Sequence, residues 1–113
     1  MRLSLPSQFF LIINTKNKEA MLKVNEYYDG KVKSIGFENA DGKITTGVMA
    51  AGEYEFGTNT IEHMTVTSGE LVVQLPGQNE WKTYKPFETF VVEKDKKFKV
   101  KVNAPAAYRC LYL

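Results

Sequence analysis

Lysine and apolar residues alternate without a break across Lys97–Phe98–Lys99–Val100–Lys101–Val102, and only an extended strand sorts such a run onto two faces. Period two turns Phe98, Val100 and Val102 inward and leaves the three lysines in water. Those lysines fit a solvated face that discourages edge-to-edge association better than they fit a polyanion site. Similar short runs, rich in Val, Ile, Thr, Tyr and Phe, recur at intervals of about 8–12 residues between turn formers. Strands are therefore expected at Lys31–Phe37, Ile44–Ala50, Glu53–Phe56, His63–Thr67, Leu71–Leu75, Phe90–Glu93 and Ala107–Tyr112 as well. The turns between them fall at residues 39–42, 51–52, 68–69 and 75–79. No segment sustains a helical period, although Ala20–Tyr28 has room for one helical turn or a strand. A chain of 113 residues supports a single core. The expectation is an all-β fold, a jelly-roll barrel of about eight strands.

The first twenty residues stand apart. They carry Arg2, Lys16 and Lys18 against Glu19, whereas residues 21–113 are charge-balanced, so the formal net charge of +2 sits at the beginning of the chain. That balance gives the domain no global field for nucleic acid or a membrane surface. The apolar run Phe9–Ile13 is too short to span a bilayer, and no small-x-small cleavage site follows it. Residues 1–20 are expected to be an extension, a start-site artefact or a flexible arm, ahead of a domain covering 21–113. The single cysteine, Cys110, excludes an intrachain disulfide and suits a reducing compartment.

One constellation bears on chemistry. Phe56-x-Thr58-x3-Glu62-x6-Gly69 keeps the spacing of the first cupin motif, in which two histidines and a glutamate bind metal and the glycine turns a hairpin. The second cupin motif falls at Phe87, Glu93, Asp95 and Phe98, and none of its usual residues is present. Phe56 and Phe98 cannot ligate, and Thr58 is a poor neutral ligand. Glu62 alone does not make a site that calls for about three or four protein ligands. No metal is expected. His63, the one histidine, follows Glu62 directly and so points to the opposite face of its strand. If Phe56 and Glu62 both look into the barrel, a carboxylate lies among Tyr54, Phe56, Met64 and Phe98. Partial desolvation would raise its pKa and suit a general acid. A structural glutamate bonded to backbone amides, and plain core packing for its apolar neighbours, are the competing readings. Cys110 has no nucleophile's partner by spacing and fits a buried thiol, and no glycine-rich phosphate loop is present.

The stretches Asn25–Tyr28, Gly30–Phe37, Gly47–Met49, Gly52–Tyr54-x-Phe56, Glu62-x-Met64–Val66-x-Ser68–Gly69 and Tyr108-x-Cys110-x-Tyr112–Leu113 together resemble the pyrimidine/purine nucleoside phosphorylase family of small cupins. The resemblance runs from Met21 to the last residue. Two departures stand out: Glu93–Lys94 replaces the family's Pro-Gly, and the C-terminal arginine, Arg109, lies two places early. The resemblance implies cleavage of nucleosides by phosphate to a free base and α-ribose 1-phosphate, broad acceptance of purines and pyrimidines, no metal or cofactor, a cytoplasmic location and a homodimer.

Such chemistry needs charge stabilisation at the sugar, relief of the leaving base and a grip on phosphate. Glu62 is the candidate proton donor, with Tyr54 or Tyr108 in support. Phe56 and Phe98 are candidates for stacking on a base, and Tyr54, Thr58, Met64 and Tyr108 complete the expected substrate pocket. Arg109, the sole arginine of residues 21–113, is the first candidate for phosphate because its fork matches that anion. Lys31 and Lys33 are second. The rival class is a non-catalytic cupin module that binds a small sugar or nucleotide-like ligand; a metal-dependent cupin is the weakest.

Overall fold

The computed structural model describes residues 22–113, and the expectations for residues 1–20 lie outside them. Ten strands follow one another: β1 (Lys23–Tyr27), β2 (Val32–Asn39), β3 (Gly42–Met49), β4 (Gly52–Gly57), β5 (Glu62–Ser68), β6 (Leu71–Gln74), β7 (Lys82–Tyr84), β8 (Thr89–Val92), β9 (Lys97–Val102) and β10 (Ala106–Tyr112). They form a six-stranded sheet in the order β1-β2-β3-β10-β5-β8 and a four-stranded sheet in the order β4-β9-β6-β7, with every pairing antiparallel. This is the all-β jelly roll that the alternation predicts, with a difference at its seam. The two sheets share no hydrogen-bonded ladder, so the barrel is flattened and open along the free edge of β4.

Two strands were not foreseen as such. β1 resolves the ambiguous stretch near Tyr28 in favour of a strand at the edge of the larger sheet. β7 is only three residues long, with one buried residue, too short to show a period. Its inward residue Tyr84 packs on Phe90 with ring centroids 4.9 Å apart.

The core lies between the two sheets. β9 buries Phe98, Val100 and Val102, and they meet Val66 of β5, Leu71 and Val73 of β6 and Val92 of β8 from both layers. Val32, Val66, Leu71 and Val100 have no exposed surface; each such side chain stabilises the fold by about 1.5–3 kcal/mol. Gly69, in the expected hairpin between β5 and β6, adopts φ +77°, the left-handed conformation that glycine enters without strain.

The seam is closed by a side chain. The turn after β1 places Tyr28 and Asp29 in the left-handed region (φ 54° and 56°), an unusual conformation for a bulky residue. The Tyr28 hydroxyl reaches the exposed edge of β4, donates to the Glu55 carbonyl at 2.5 Å and accepts from the Glu55 N–H at 3.0 Å. One phenol thus satisfies two backbone groups that no neighbouring strand pairs.

Candidate active site

At that end of the molecule the sheets part around a cavity of about 530 Å³. Strand alternation decides what it is lined with. On β10, Tyr108, Cys110 and Tyr112 point in; on β5, Glu62 and Met64 do the same from the adjacent strand. Ser34 and Met49 supply the floor from β2 and β3, and Phe56 and Phe98 face them from the smaller sheet. Tyr27, Tyr28, Glu55, Gly57 and Asn59 complete the lining around β1 and β4. Aromatic rings make one wall: Tyr28 lies 6.0 Å from Phe56, Phe56 5.7 Å from Phe98, and Phe98 5.9 Å from Phe90 behind it. Such spacings are those of favourable tilted and edge-on ring pairs.

Glu62 is the one carboxylate that strand alternation turns into this space, since Glu55 lies on β4 between the inward Tyr54 and Phe56. Burial raises its pKa above the ordinary 4.5, and a hydrogen bond from the Cys110 thiol, Sγ to Oε1 at 3.6 Å, pulls partly back. The thiol is itself raised, chiefly by burial and then by Glu62, so it stays a protonated donor. Tyr108 is pushed up to about 12, again mainly by burial, while Ser34 beside it acts in the opposite direction. Tyr112 is raised too, and its hydroxyl shares a 2.9 Å hydrogen bond with that of Thr45. Two hydrogen-bonded pairs, Thr45–Tyr112 and Cys110–Glu62, thus lie side by side along β10, and both the phenol and the thiol are held protonated by burial. The site can hold a proton near a bound ligand, and it offers rings to a flat one.

A glycine makes part of this geometry possible. An added Cβ on Gly47 would lie 2.6 Å from the Lys33 carbonyl oxygen and 2.8 Å from the Tyr108 hydroxyl. Tyr108 therefore lies across a strand position where only a hydrogen fits.

The candidates named from the sequence separate into two groups. Phe56, Glu62, Met64, Phe98 and Tyr108 come together on the cavity. Tyr54 and Thr58 do not line it. Tyr54 is buried in the core, where its hydroxyl donates to the Ala50 carbonyl at 2.6 Å and its ring backs Tyr28 at 5.1 Å. Thr58 is a staple between loops: its hydroxyl donates to the Glu93 carbonyl at 2.6 Å and accepts from the Lys96 N–H at 3.0 Å. This holds the turn at Glu93–Lys94, with Asp95 taking the left-handed position at φ 59°. Arg109, Lys31 and Lys33 do not line the cavity either. Arg109 alternates with Tyr108 and Cys110 and so emerges on the outer face of the larger sheet, and Lys33 does the same beside Ser34. Lys31, exposed just before β2, does not reach the lining either. His63 lies on that outer face as well, between its cross-strand partners Leu111 and Val91.

Sequence reasoning missed Tyr27, Tyr28, Ser34, Asn59, Cys110 and Tyr112 as lining residues. For Cys110 and Tyr112 the signal was present, because both share the parity of Tyr108 on an expected strand. For Tyr28 there was none: a left-handed turn residue has no periodicity to reveal its direction.

The family model described as pyrimidine/purine nucleoside phosphorylase matches residues 22–112. The chain belongs to that family. A pyrimidine/purine nucleoside phosphorylase of Alcanivorax borkumensis is 56% identical over 92 residues, covering 81% of this chain and 98% of that protein. One from Saccharophagus degradans is 55% identical over 93 residues, covering 82% and 99%. Among solved structures, a Vibrio parahaemolyticus protein of unknown function superimposes with a TM-score of 0.81 at 45% identity, covering 83% of this chain and all of the other (100%). An RmlC-like cupin from Shewanella frigidimarina superimposes with a TM-score of 0.63 over 80% of this chain and 81% of its own, and at 15% identity it supports the cupin fold alone. For a phosphorylase family the lining is notable for its charge: among the described residues, no lysine, arginine or histidine belongs to it.

Proposed function

We propose that this protein is a metal-independent nucleoside phosphorylase that splits purine and pyrimidine nucleosides with inorganic phosphate, giving free base and α-ribose 1-phosphate. The observation that carries the reading is Glu62, a partly desolvated carboxyl facing an aromatic-walled cavity in a chain of this family. Protonated Glu62 gives its proton to the departing base as the C1′–N bond breaks and the bond's electron pair goes to the base nitrogen. A phosphate oxygen forms the new bond to C1′, and the proton left on the sugar phosphate returns to Glu62. Phe56 and Phe98 stack on the base, and rings of either class satisfy them, which supports broad base acceptance. Phosphate is met by neutral donors, Ser34, Asn59, Tyr108 and Tyr112, with no cationic clamp from this chain's cavity. Among the described residues no group of three His, Cys, Asp or Glu side chains converges; the chelator arm of the assay below tests metal independence directly. No cofactor besides phosphate as co-substrate enters the reading, and neither a nucleic acid nor a membrane partner does. A homodimer and a cytoplasmic location come with it; sedimentation of the full chain checks the first and cell fractionation the second.

The test is to incubate the full chain, after chelator treatment, with uridine or adenosine and to assay free base with and without phosphate. Release that depends on phosphate and survives the chelator is expected. Glu62→Gln should lower turnover at least about tenfold, the low end of general-acid effects. Binding of nucleoside without any turnover would instead favour a sensing module.

A further inference from the structure

The cavity has an electrostatic bias that phosphate binding does not explain. Its ionisable lining consists of Glu62, with Glu55 at the rim, the thiol of Cys110 and the phenols of Tyr27, Tyr28, Tyr108 and Tyr112. None of these groups carries a positive charge in any protonation state. The opposite wall is Phe56 and Phe98 with Tyr28 at the edge, rings whose faces attract cations. A half-buried carboxylate on one side and aromatic rings on the other form a receptor for positive charge.

We infer that the cavity binds ribose-sized cyclic ammonium ions, hydroxylated five-membered rings with a protonated ring nitrogen, between ionised Glu62 and the Phe56–Phe98 wall. The inference deepens the phosphorolysis reading, on which it rests for the choice of ring: the sugar becomes oxocarbenium-like as the base departs. At that instant Glu62 has just given up its proton and is an anion beside the cationic sugar. One side chain therefore serves as acid first and counter-ion second, and a permanent cation of the same shape captures the second state. Because the cation selects the ionised carboxylate, its binding displaces the Glu62 proton. Its affinity rises with pH through the Glu62 titration, while a neutral ring of equal size shows no such dependence.

The probes are 1,4-dideoxy-1,4-imino-D-ribitol, protonated at neutral pH, and 1,4-anhydro-D-ribitol, its uncharged ether counterpart, titrated calorimetrically into the full chain. The ammonium ion is expected to bind at least about tenfold more tightly than the ether, from a charge-assisted hydrogen bond and cation–π contact. In Glu62→Gln that ratio should fall below about threefold, and in Phe98→Leu it should fall by a smaller factor. Thermal melts of each variant show that it is folded. Equal binding of the two probes, or a preference that Glu62→Gln leaves intact, overturns the inference. Base release measured on the same preparations separates the two ideas. Cation preference without phosphorolysis keeps the site and removes the reaction, and phosphorolysis without preference does the reverse.

Discussion

Two influences of opposite sign meet at the Glu62 carboxyl: burial raises it, and the Cys110 thiol lowers it by donating to Oε1. Removing the donor leaves burial unopposed. Cys110→Ala is therefore expected to raise the Glu62 pKa further and carry the alkaline limb of the pH–rate profile upward, while Cys110→Ser, which keeps an O–H donor, restores it. Rates of base release measured across pH in the three proteins check this; an unmoved limb removes the thiol from the site. Individual residues also show where sequence reasoning stops. The inward positions of Glu62, Met64, Phe98 and Tyr108 were legible because strand parity is a local property. The choice of Arg109 came from its chemistry as a phosphate ligand, and the same parity, applied to Tyr108, places it on the far side of the sheet. Thr58 was chosen for its place in a motif frame, whereas its hydroxyl is committed to Glu93 and Lys96, contacts between distant loops that no spacing encodes.

At the level of strands, the row Asn25–Ser34–Gly47–Tyr108 runs across β1, β2, β3 and β10 and sets how closely those backbones lie beneath the cavity. Gly47→Ala places a methyl against the Lys33 carbonyl oxygen, a backbone atom that cannot swing aside. A loss of about 1–3 kcal/mol of stability is expected from the overpacking. Tyr108 should shift as well, so nucleoside KM rises along with the loss in urea midpoint; a variant as stable and as active as the parent contradicts the close packing. Strands with six or more residues and a buried face, such as β2, β3 and β9, were readable from alternation. β7 was not, since three residues cannot display a period, and its partner choice depends on β6, already fixed by β9 on its other side.

For the whole molecule, the raised Glu62 pKa links activity to stability. The folded state disfavours the ionised carboxylate, so Glu62's contribution is fully present below the unfolded value near 4.5 and is lost as pH rises through the folded value. Glu62→Gln has no such loss. Denaturant melts of both proteins at a series of pH values should show the variant gaining on the parent as pH climbs above that range; parallel stability curves sink this linkage. The two-layer architecture itself was legible, because period-two runs between turn residues admit few other solutions. The split into separate sheets was not, since it depends on β4 pairing on one side only. That unpaired margin lies at the rim of the cavity. Two backbone groups of Glu55 are met by a phenol on a neighbouring turn, so the halves are fastened there as a cover is by a clasp. Tyr28 belongs to the turn after β1 and adds no rung to either ladder, so the rim of the cavity is fastened there by one side chain instead of by a strand.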